Sequence, residues 1–79
     1  MDPIISSMVN GLKGQYLALL PKLQGIDTKA IKAIVAEMDA LAESSDNDAA
    51  GFMSKLMANG VMNRYNAEIT RLCDLIANK

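Results

Sequence analysis

Met62-Asn63-Arg64-Tyr65-Asn66-Ala67-Glu68-Ile69-Thr70-Arg71-Leu72-Cys73-Asp74-Leu75-Ile76 decides the fold. Met62, Tyr65, Ile69, Leu72 and Ile76 recur at three- and four-residue steps, which lines them up along one side of a helix. Apart from Ala67, Cys73 and Leu75 the other positions are polar, so this helix needs an apolar neighbour to cover its stripe. Three earlier stretches have the same pattern, and the chain therefore reads as helices that cover one another.

Working back from that helix, Phe52, Met53, Leu56, Met57 and Val61 form another apolar group. On one unbroken helix turning about 100° per residue, the Phe52–Met57 stripe would point nearly opposite to the Met62–Ile76 stripe. Two readings follow. The helix breaks at Asn59-Gly60, with Gly60 as a left-handed cap, or one helix of about 30 residues meets different neighbours on its two faces, which is unusual for a monomer but natural in a filament or complex. The break is the preferred reading.

Further back, Ile31, Ile34, Val35, Met38, Leu41 and Ala42 make the cleanest stripe. Asp27 is a candidate N-cap for it, and Ile26 with Ile31 matches a hydrophobic staple. The first stripe is Ile5, Met8, Val9, Leu12, Tyr16, Leu19, Leu20 and Leu23, opened by Asp2 as N-cap and Pro3 in the first turn. Pro21 ends or kinks that helix and Gly25 supplies a turn. Gly11 and Gly14 lie off the stripe; either they are merely tolerated or they admit a neighbouring backbone. The expected architecture is all-α: one domain, residues 1–79, a small bundle of three or four amphipathic helices near 3–20, 28–43, 48–59 and 61–78. The first two form an antiparallel pair and the rest pack across their stripe.

Composition narrows the function classes. Of 79 residues, 51% are hydrophobic, which supports folding, and a chain this short gains from a partner or from self-association. A net charge of −1 offers no basic footprint for nucleic acid. The sequence has no histidine, which removes the usual general base and the commonest metal ligand. Its single cysteine cannot form an internal disulfide. With no apolar run long enough for a bilayer and no secretory leader pattern, the expected compartment is cytoplasmic, with signal-less export also open.

Candidate chemistry is sparse. Asp46-Asn47-Asp48-Ala49-Ala50-Gly51 starts like a calcium loop, but Ala50 carries no ligand oxygen and Met57 stands where the bidentate glutamate belongs. A capped helix start explains the stretch better. Cys73, beside Leu72 and Ile76, reads as a small buried hydrophobe. The serines lack a histidine base. Glu37, Asp39, Glu43, Asp46 and Asp48 follow one another with no basic residue between them, which reads as a solvated end or as a docking patch for a basic partner. Arg64 with Glu68, and Arg71 with Asp74, are spaced for ion pairs along one helix. Tyr16 and Tyr65 read as core residues with hydroxyls at the rim, or as interface anchors.

The chain is therefore expected to be no enzyme and to need no cofactor or metal. It reads as a protein–protein interaction module: an adaptor, a chaperone-like protein or a self-assembling subunit. A regulatory protein that binds a larger enzyme is an alternative. The candidate interface residues are Phe52, Met53, Leu56 and Met57 on one stripe and Tyr65, Ile69, Leu72 and Ile76 on the other, one stripe forming core and the other the interface.

The Ser44–Lys79 region also loosely resembles small helical type III secretion proteins: needle or inner-rod subunits, or their chaperones. The residues concerned are Gly51-Phe52-Met53-Ser54-Lys55-Leu56, Arg64-Tyr65-Asn66 and Asp74-Leu75-Ile76-Ala77-Asn78-Lys79. The resemblance implies polymerisation, or capping of a polymerising subunit, through the C-terminal helix. Two features depart from needle subunits: residues 44–50 contain no proline, and the Ile31–Leu41 stripe adds a helix to their simple hairpin.

Overall fold

The computed structural model describes residues 2–78. Helix α1 spans Pro3–Leu19, α2 Lys29–Ser44, α3 Ala49–Ala58 and α4 Val61–Ala77, and a short 3-10 turn, Leu20–Lys22, follows α1. The fold is all-α, as the four stripes require.

Local chemistry accounts for the boundaries. The Asp2 carboxylate accepts a hydrogen bond from the Ile4 N–H at 3.0 Å, satisfying one of the unpaired donors at the start of α1. Pro21 falls in the 3-10 turn, and Gly25 turns the chain with φ +78°. Leu20 belongs to the expected stripe yet is exposed. Fifteen residues of regular winding place it about 60° from Ile5, at the edge of the stripe.

The start of α2 differs by one position from the expectation. Thr28 occupies the N-cap without a side-chain bond, while the Asp27 carboxylate reaches forward to the Lys29 N–H at 3.0 Å. Asp27 thus does the capping from one residue earlier. At the other end, the buried Ser45 donates its hydroxyl to the Leu41 carbonyl at 2.8 Å. Asp48 caps α3 by accepting from the Gly51 N–H at 2.8 Å.

Between α3 and α4 the chain does break at Asn59-Gly60. Gly60 has φ +64°, the left-handed conformation that glycine adopts without a steric penalty. The Asn59 N–H donates to the Lys55 carbonyl at 3.0 Å, closing the end of α3.

Three side chains report how the helices lie. Lys13 meets Asp39 at 3.2 Å, which sets α1 beside α2. Arg64 reaches Glu37 and Arg71 reaches the Asp27 carbonyl, so α4 runs antiparallel to α2. The core between the helices holds Ile5, Ile31, Met38, Phe52, Leu56, Val61, Tyr65 and Leu72, all fully buried. Each large apolar side chain placed there stabilises the fold by roughly 1.5–3 kcal/mol before entropy is counted. The result is an elongated bundle of 42 × 22 × 15 Å.

Candidate interaction surface

The break at Asn59-Gly60 changes the expected division of the two stripes. Phe52 and Leu56 are fully buried, and so are Tyr65 and Leu72; Ile69 is 9% exposed and Ile76 packs half-buried against the same cluster. Neither stripe as a whole is free: both turn inward because α4 is reoriented relative to α3. Only Met53, 43% exposed, and Met57, 76% exposed, stay outside. The eight candidate residues thus divide into six that belong to the core and two that form a surface.

Met53 and Met57 are four residues apart on α3 and share its outer side. Leu56, Met57, Gly60, Met62 and Asn63 line a shallow open groove across the α3–α4 turn. Methionine suits such a place, since its unbranched thioether adapts to varied apolar partners. Ile4, Leu17 and Leu75 are also exposed, at separate points on α1 and α4.

Tyr65 is not at the rim. It is 1% exposed, and its hydroxyl accepts a hydrogen bond from the Tyr16 backbone N–H at 3.3 Å, tying α4 to α1. Burial pushes its pKa above the ordinary tyrosine value, with the Tyr16 hydrogen bond acting in the opposite direction. Cys73 corrects the expectation too: it is exposed. One residue past Leu72 is a rotation of about 100°, which carries the thiol off the buried side of α4.

The arginines choose other partners than their spacing indicates. Arg64 forms two hydrogen bonds to the Glu37 carboxylate, each 2.9 Å, instead of pairing with Glu68. The Arg64 hydrogen bond holds the Glu37 carboxyl below its usual value. Arg71 pairs with Glu68, not with Asp74.

These bonds also dissect the acidic stretch. Arg64 takes Glu37, Lys13 takes Asp39, and Asp48 is committed to its cap. Glu43 and Asp46 remain exposed, and with Ala42 and Asn47 they line an open hollow at the α2–α3 corner. Among the described residues no group of three or more acidic, cysteine or histidine side chains is placed to hold a metal ion. No helix among them is long and apolar enough to cross a membrane.

Neither a family model, nor a curated protein, nor a solved structure matches the chain.

Proposed function

We propose that the protein is a small helical protein–protein interaction module whose contact surface is the outer side of α3. The observation that carries this reading is the exposure of Met57 and Met53 beside the groove at Gly60 and Met62. An apolar helix face of a partner fits such a surface, because adaptable side chains line a shallow concave strip. The test immobilises the wild-type chain and a Met53→Lys/Met57→Lys variant and compares the proteins each captures. A partner held by the wild type and lost by the variant, with Tm unchanged, supports the module. Equal capture by both removes α3 as the contact surface.

The resemblance to secretion needle and rod subunits or their chaperones falls within the same general class. Polymerisation through the C-terminal helix would require α4 to leave the bundle, since Tyr65, Ile69 and Leu72 are buried in it. Light scattering over a concentration series, with and without residues 61–78, tests that version: it expects large species that the truncation abolishes.

A further inference from the structure

The outward side of α2 carries a charge pattern that matches itself. Lys29, Lys32, Ala33, Ala36, Ala40 and Glu43 share one side of the helix, and all six are exposed. They lie opposite the buried Ile31, Ile34, Met38 and Ala42. Ion pairs border the strip on both sides, Lys13 with Asp39 toward α1 and Arg64 with Glu37 toward α4. The charged residues within it are unmatched: among the described residues, Lys29, Lys32 and Glu43 join no ion pair.

Their placement works against the helix that carries them. The amide end of a helix favours negative charge and the carbonyl end positive charge. In α2 the lysines stand in the first turns and Glu43 in the last. A cost of that sign at both ends is offset when a second helix of the same sequence lies alongside in the opposite direction. Ala36 is midway between Lys29 and Glu43, which are separated by about 21 Å of helix. A two-fold axis through Ala36 therefore sets Lys29 of each copy against Glu43 of the other. Lys32 adds positive charge beside the same contact. Ala33, Ala36 and Ala40 let the two backbones approach to about 8 Å, the close end of helix packing. A parallel arrangement would oppose like charges at both ends, so the pattern also sets the direction.

We propose that this strip is the contact surface for a second copy of the chain, in an antiparallel α2–α2 pair. It is separate from the methionine surface of α3 and does not depend on it. Sedimentation of the full chain over a concentration series at low ionic strength measures the dimer, with repetition at high salt. The expected result is a monomer–dimer equilibrium that salt weakens. Lys29→Glu and Glu43→Lys each turn two attractions into two repulsions and raise the dissociation constant about tenfold. The double variant Lys29→Glu/Glu43→Lys restores the wild-type value, because the pairs reform with reversed sign. Ala36→Arg places two guanidinium groups on the axis and abolishes the dimer, whereas Met57→Lys leaves it unchanged. Circular dichroism establishes that each variant is helical, and the reversal cycle decides the matter if Ala36→Arg unfolds. A monomer at every concentration, a dimer that survives Ala36→Arg folded, or a double variant no better than the singles overturns the proposal.

Discussion

Gly11 and Gly14 sit inside α1 with nothing within 4 Å of where a Cβ would stand. The open space decides between the two readings of these glycines: no neighbouring backbone approaches them, so they are tolerated. Replacing either by Ala restricts the unfolded chain and shields the helix backbone without a clash. Gly11→Ala and Gly14→Ala should each stabilise by about 0.5–1 kcal/mol, read from urea unfolding midpoints. Gly51 gives the contrasting outcome. A Cβ there would collide with the Asp48 carboxylate that caps α3. Gly51→Ala should therefore forfeit the gain seen in α1, since higher helix propensity is set against a displaced cap. Tyr65 provides a test of burial. Its pKa is raised in the fold, so above about pH 10, the ordinary tyrosine value, the unfolded chain ionises first. The stability contribution present below that value declines as pH rises toward the folded pKa. Tyr65→Phe should flatten this alkaline limb of Tm against pH; an equally steep limb in the variant would sink the assignment.

The turn at Asn59-Gly60 shows how one backbone angle positions two helices. With φ at +64°, Gly60 occupies a region that costs other residues roughly 1–2 kcal/mol. Gly60→Ala should destabilise by about 1 kcal/mol although a Cβ there meets nothing within 4 Å. A neutral result would mean that α3 and α4 can join by another turn. Caps and this break were legible in the sequence because each depends on a few adjacent residues. The ion pairs were not. Arg64 has Glu68 one turn away, but the chain brings Glu37 of α2 to it in a bidentate geometry, which local spacing cannot reveal. The Glu37 carboxyl reports that choice directly. Its pKa is depressed by the Arg64 hydrogen bond, so its stabilising contribution is present above the unfolded carboxyl value and is lost as pH falls through the folded one. Arg64→Gln should return the Glu37 titration, followed by NMR, to the ordinary glutamate range.

Across the bundle, the periodicity of apolar residues located all four helices, because a 3.6-residue repeat is written in the sequence. The exposed surface is not written in that repeat. Met53 and Phe52 are neighbours with equal claims to an apolar stripe, yet one is exposed and the other fully buried. That outcome depends on how α3 packs against α1, α2 and α4 together, which periodicity does not encode. Cys73 is exposed for a related reason: its apolar sequence neighbours, Leu72 and Ile76, lie at different angles from it around α4. The same division yields the most discriminating comparison for the α3 surface. A domain of this length has a total stability of about 4–12 kcal/mol. Leu56→Ala removes a fully buried side chain and should cost roughly 2–5 kcal/mol, a large share of that total. Met57→Lys changes a side chain that is 76% exposed and should alter stability by no more than about 0.5 kcal/mol. If Met57→Lys destabilised the isolated chain as strongly as Leu56→Ala, Met57 would be part of the core in solution. An unchanged Tm would instead mean that Met57 contributes little to folding, which leaves an apolar side chain in water for some other reason. A partner's contact would supply one, and that is why stability and capture have to be measured on the same variant.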